Sequence, residues 1–179
     1  MVSLKPQDVI VAVKVALRPG LNSSYADLAR SVGLSASEVH SSVFRLGAAD
    51  LLDIKERRPR LANLLEFLEH GVRYAFISDV RGVTRGVPTA HSAPPLSDEI
   101  TSATSGALAD LRDVPMVWAH PEGTVRGQSL EPLYPSVVDA ALRDPDLHQG
   151  LALVDAVRIG RARERKLAIE LLRRKFDKR

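Results

Sequence analysis

Cysteine is absent from the 179 residues. That excludes disulfides and thiolate metal sites, and it fits a protein of the reducing cytoplasm. Aromatic residues make up only 4% of the chain, too few for stacking platforms under single-stranded bases or sugars. Long apolar runs are lacking as well. The opening stretch "MVSLKPQDVIVAVKVALRPG" is interrupted by Lys5, Asp8 and Lys14, so neither a signal-peptide core nor a membrane span is expected. No G-x-S-x-G elbow and no Walker-type phosphate loop occurs, which removes two common routes to catalysis. His40, His70, His91, His120 and His148 are scattered, with no pair at ligand spacing. No metal, cofactor or catalytic residue is expected on this basis. "ERK" (Glu164 to Lys166) echoes the end of a nuclease motif, but it sits in a continuous basic helical stretch and reads as a charged helix face.

What is present is enough apolar material, 45%, for a real core. The net charge of +3 conceals an uneven distribution: residues 1–60 carry nine Lys/Arg against six Asp/Glu, residues 61–157 six against thirteen, and residues 158–179 ten against three. Basic ends flank an acidic middle, a pattern suited to nucleic acid at the ends or to association of ends with middle.

Periodicity predicts a first helix over "KPQDVIVAVKVAL", with Val9, Ile10, Val13 and Leu17 inward, and a turn at "RPGLN". Ser24 is positioned to cap a short helix, Tyr25 to Val32, with Leu28 and Val32 facing inward. Gly33 supplies the positive φ that ends it, and Leu34 packs just beyond. Ser35 and Glu38 have capping-box spacing for the next helix, whose Val39, Val43 and Leu46 form a buried stripe. "AADLLDIKE" then runs into a short strand. A helix over "LANLLEFLEHG" stopped by Gly71, a strand at "VRYAFISDV", and a long loop from Arg81 to Glu99 are expected next. "SATSGALADLR" reads as weakly helical, "VPMVWAHPEGTVRG" as a hairpin bent at "PEG", and the remainder as helices.

The helix–turn–helix spacing of Ser24 to Leu46 carries the functional reading. With Val39, Val43 and Leu46 inside, Ser37, His40, Ser41 and Arg45 are expected to project outward. Serines allow close approach to phosphates and base edges, His40 can donate or accept, and Arg45 can reach a guanine or a phosphate. Ser35 opens a helix N-terminus whose amides suit a phosphate. The competing reading is a capped helical hairpin that belongs to an ordinary core.

"YADLARSVGLSASEVHSSVFRLGAADLL" resembles the bacterial helix-turn-helix and winged-helix (MarR-like) transcriptional regulators, through Ala29 in the first helix, Gly33 in the turn and Leu34 after it. The resemblance covers the N-terminal third and implies a DNA-binding module. It departs from the full pattern because only a short segment separates Asp53 from Pro59. That leaves room for one strand and a basic corner, with Lys55, Arg57, Arg58 and Arg60 able to touch backbone phosphates. A solvated loop is the plain alternative.

Thr84 to Leu96 gathers Arg85, Thr89 and His91 in a proline-rich stretch, either a functional loop or a strap over the acidic middle. In the C-terminal segment Leu151, Val154, Val157, Ile169, Leu172 and Phe176 recur at helical spacing. They form either the seam of a homodimer or the docking face of a terminal helix on its own domain. The expected whole is an α+β protein: an abbreviated winged-helix module over 1–72, and a mixed α/β region over 73–179 that mediates dimerisation or partner binding and ends in a long helix. The expected function is a non-enzymatic, cytoplasmic, sequence-specific regulator binding double-stranded DNA as a homodimer. The alternative is an antitoxin-type module that binds and neutralises a cognate protein.

Overall fold

Helix α1 (Pro6–Leu17) has apolar side chains on nearly every side, and a helix of that kind must sit inside the molecule. Val9, Ile10, Val11, Ala12, Val13 and Ala16 are all buried. So are Asp8 and Lys14, and a buried charge is tolerable only when paired. Asp8 takes a two-pronged bond from Arg45 at 2.7 and 2.6 Å, and Lys14 pairs with Asp144. The computed structural model describes residues 3–17, 24–103 and 114–177; the turn expected at "RPGLN" falls on residues outside that set.

Around α1 the chain lays down α2 (Tyr25–Val32), α3 (Ala36–Ala48), the two-residue strands β1 (Leu52–Asp53) and β2 (Arg58–Pro59), and α4 (Leu61–Glu66). The local signals behave as their chemistry requires. Ser24 accepts the Asp27 N–H, Gly33 ends α2 at φ 71°, and Ser35 and Glu38 cap each other's backbone. Gly33 is also held by space, because a Cβ there would sit 3.0 Å from the Ser136 Cβ. Two departures follow. The corner after Asp53 is a minimal two-stranded hairpin, Leu52 opposite Pro59 and Asp53 opposite Arg58, not a single strand. Asp53 Oδ1 closes it by accepting the Lys55 and Glu56 N–H groups. Gly71 does not stop the helix: α4 passes through a π turn (Phe67–Gly71) into α5 (Val72–Ala75). Where a strand was expected over Val72 to Val80, the chain is therefore helical to Ala75.

The long loop expected from Arg81 is instead mostly strand β3 (Val80–Pro88), followed by a 3-10 turn (Ala90–Ser92) and α6 (Leu96–Ala103). The weakly helical "SATSGALADLR" lies mainly outside the described residues. β4 (Met116–Ala119) and β5 (Val125–Leu130) do not form a hairpin. Both run antiparallel to β3 and pair in parallel with each other through Met116–Gln128 and Val117–Ser129, closing a small three-stranded barrel. β4 covers the end of β3 and β5 its beginning, and they meet at Gly86, which opposes both Ala119 and Val125. A Cβ on Gly86 would lie 2.1 Å from the Trp118 carbonyl oxygen, and one on Gly123 2.2 Å from the Gly86 carbonyl carbon. Only glycine permits strands this close.

Helices α7 (Val137–Arg143), α8 (Pro145–Ile159) and α9 (Ala162–Asp177) complete the chain. The barrel is fastened to α8 by buried Asp155. Its Oδ2 accepts from Thr89 Oγ1 at 2.9 Å and Trp118 Nε1 at 2.7 Å, and its Oδ1 accepts from Arg158 at 2.7 Å. Burial pushes this carboxyl up, while the Arg158 charge and the bonds from Arg158, Thr89 and Trp118 pull it back. Leu151, Val154 and Val157 of α8 and Ile169, Leu172 and Phe176 of α9 are buried within the same chain. Those side chains are consequently not an intermolecular seam. The buried cluster runs without a break from Val9 to Phe176, and the Tyr134–Glu38, Ser136–Val32 and Lys14–Asp144 bonds tie the first 72 residues to the rest. The architecture is mixed α+β, and no helix among the described residues is long and apolar enough to cross a membrane.

Candidate nucleic-acid interface

The face of α3 opposite its buried stripe is open. Ser37 and His40 are exposed, Ser41 is half-buried, Ala48 is exposed, and Phe44 leaves 57% of its surface in solvent. Positions 37, 41, 44 and 48 recur every three or four residues and therefore form one line along the helix.

Arg45 does not project as expected. It lies at the margin of the buried arc, beside Ser42 and Leu46, and turns inward to Asp8, which is fully buried; its own side chain is 14% exposed. The Asp8 bond holds the guanidinium pKa above its ordinary value. The reason is nonlocal: Asp8, buried on the mostly apolar α1, needs a cation, and Arg45 is the one that α3 brings to it. Glu38 is likewise occupied. Its Oε2 accepts from the Ser35 backbone and hydroxyl at 3.0 and 2.9 Å, and its Oε1 accepts the Tyr134 hydroxyl at 3.1 Å. Those bonds, the Ser35 backbone first, hold its carboxyl below the usual glutamate range, and Glu38 in turn pushes the Tyr134 hydroxyl up. Ser35 is thus spent on the cap.

The hairpin tip lies beside this face. Lys55, Arg57 and Arg58 are exposed. The Arg57 guanidinium sits 4.4 Å from the centre of the Tyr25 ring, and that ring meets His40 edge-on at 5.3 Å. A chain of three contacting side chains therefore runs from the hairpin, over the start of α2, to α3. Arg57 reaches this position at φ 49°, in the tight turn between β1 and β2. Arg60, at the hairpin base, pairs at the surface with Asp50 at 3.2 Å and Asp53 at 3.9 Å.

The structure thus links His40 through Tyr25 to Arg57, leaves Ser37, Lys55 and Arg58 exposed and Ser41 half-buried, ties Ser35 into its cap and Arg45 to buried Asp8, and pairs Arg60 at the surface with Asp50 and Asp53. Tyr25 and Phe44 belong to the same surface and were not singled out from the sequence. Phe44 was findable, since it falls on the outward arc of the helical wheel that places Val39 and Val43 inside. Arg85, Thr89 and His91 do not share one environment: Thr89 points inward to Asp155, Arg85 is exposed on β3, and the Nε2 of half-buried His91 is buried without a hydrogen-bond partner among the described residues. Among the described residues, no three His, Asp or Glu side chains converge at metal-binding distance. Compared with known proteins, the chain matches no protein-family model, no curated protein and no solved structure.

Proposed function

We propose that this protein is a sequence-specific DNA-binding transcriptional regulator that works as a homodimer, with α2 and α3 as its helix-turn-helix and the β1–β2 hairpin as an abbreviated wing. One observation carries the reading: the outward α3 line of Ser37, Ser41 and Phe44, with His40 beside it, is joined through the Tyr25 ring to Arg57 of the β1–β2 hairpin, whose Lys55 and Arg58 are also exposed. A helix of that size fits the major groove while the tip neutralises adjacent phosphates. Ser37, His40 and Ser41 are the base-facing polar groups. Arg45 acts through the scaffold, holding α3 on α1. One such helix spans few base pairs, so two copies about one DNA turn apart, roughly 34 Å, supply register and affinity.

The test is selection from a random duplex library with the full chain. Enrichment of a common site supports the reading, and its absence across a range of salt concentrations rules it out. Arg45→Ala is unsuitable as a probe because it strands buried Asp8.

A second reading, capture of a protein partner as antitoxins do, is favoured by a separate set of exposed apolar residues. Tyr74, Ile77, Val80 and Val83 are 73%, 82%, 46% and 55% exposed and lie within ten residues of one another in the chain. The same residues offer apolar surface for a homodimer in place of the α9 stripe. An Ile77→Asp/Val83→Asp variant separates the cases: loss of self-association in sedimentation points to a dimer seam, and loss of only a co-purifying protein points to a partner.

A further inference from the structure

The outward line of α3 has an unusual chemistry for a surface that would read DNA: it carries no charge. Arg45 is turned to Asp8, and Glu38 is held by Ser35 and Tyr134. The side chains that discriminate guanine do so through a two-pronged donor, Arg or Lys, and adenine is read by Asn or Gln. Between Ala36 and Ala48 the helix contains no Lys, Asn or Gln, and its single Arg is engaged. What it offers is a mostly exposed Phe44, an exposed Ala48 one turn on, and two serines small enough not to hold the backbone away. His40, steadied edge-on by the Tyr25 ring, adds one polar group at the margin.

Every polar edge group of the major groove calls for a hydrogen-bonding partner, and the C5-methyl of thymine alone calls for an apolar one. We infer that α3 recognises thymine methyl groups, with Phe44 and Ala48 as the specificity-determining side chains, so that the bound duplex presents thymines opposite the second half of the helix. The inference rests on the DNA-binding reading above and specifies what that site takes. Phe44 is also suited energetically: its ring is left in water in the free protein, so covering it on binding recovers apolar area at little loss of existing packing.

The experiment uses the full chain and the duplex enriched from a random library. Each thymine in the site is replaced in turn by deoxyuridine, which deletes the methyl and keeps every hydrogen bond. Wild-type binding is expected to weaken about fourfold at one or two positions, the effect of one lost buried carbon group. In Phe44→Ala the thymine duplex is expected to bind as weakly as the deoxyuridine one, with the penalty gone, while Phe44→Leu retains part of it. Thermal unfolding confirms that both variants are folded. If an enriched duplex shows no deoxyuridine penalty at any position, the inference is overturned and the regulator reading stands. An unchanged penalty in folded Phe44→Ala overturns it too, because the methyl is then read elsewhere, and so does a full loss of binding to both duplexes alike. If no duplex is enriched, both fall together.

Discussion

At the scale of single residues, the decisive placement is the Asp8–Arg45 pair. Thirty-seven positions separate the two residues in the chain, so no local pattern announces the contact. On a helical wheel Arg45 falls just outside the buried arc, and the wheel alone leaves its direction open. The fully buried carboxylate settles it, because an unpaired charge there would be far more costly than a guanidinium withheld from solvent. Arg45→Ala is expected to lower unfolding stability by about 3–5 kcal/mol, the usual consequence of stranding one partner of a buried pair. Urea unfolding followed by the fluorescence of the single tryptophan measures it, and a loss under about 1 kcal/mol, the surface-pair scale, contradicts the assignment. Glu38 supplies a pH signature. Its folded carboxyl titrates below its ordinary value, so the stability it contributes is present above that ordinary value and is lost as pH falls through the lowered one. Glu38→Gln should therefore be less stable than wild type at neutral pH, and the gap should close in that acid window. A gap that is constant down to full protonation would show that the charge of Glu38 is not what holds the cap.

At the scale of elements, the sequence was most legible where one residue type does one local task. Ser24, Gly33 and the Ser35–Glu38 box act within four residues of themselves, and α2 and α3 begin and end where those residues direct. The barrel was hidden for the opposite reason. β3 is largely exposed over its first half and broken by glycines, so it shows no alternation, and its partners lie about thirty to fifty residues away. Gly86 reads as a loop marker, whereas its task is to let the strands close upon one another. "VRYAFISDV" misled in a complementary way: a short apolar run has no clear period, and the π turn carried the helix past Gly71. Gly86→Ala tests the account of the barrel. The added methyl would meet the Trp118 carbonyl, and displacement of that strand also strains the Trp118–Asp155 bond. A loss of about 1–3 kcal/mol or more, with altered Trp118 emission in whatever still folds, is expected. Wild-type stability and emission would show that the strands are not packed this closely.

At the scale of the whole molecule, one continuous core joins the α2–α3 face to the C-terminal helices, because α1 packs on α3 with one side and α8 with another. The apolar stripe of α9, which from sequence alone fits a dimer seam equally well, is consumed in this core. What remains outside is a charge-free helical line, a cationic hairpin whose Arg57 reaches it through Tyr25, and the exposed apolar side chains of Tyr74, Ile77, Val80 and Val83. We propose that the first two of these meet DNA together. The most direct measurement is the salt dependence of binding to a selected duplex by the wild type and by Lys55→Ala/Arg57→Ala/Arg58→Ala. Each lost phosphate contact should flatten the slope of log affinity against log salt by about one unit, hence about three units per protomer for the triple variant. Wild-type binding that shows no salt dependence, or a triple variant with an unchanged slope, would contradict the account.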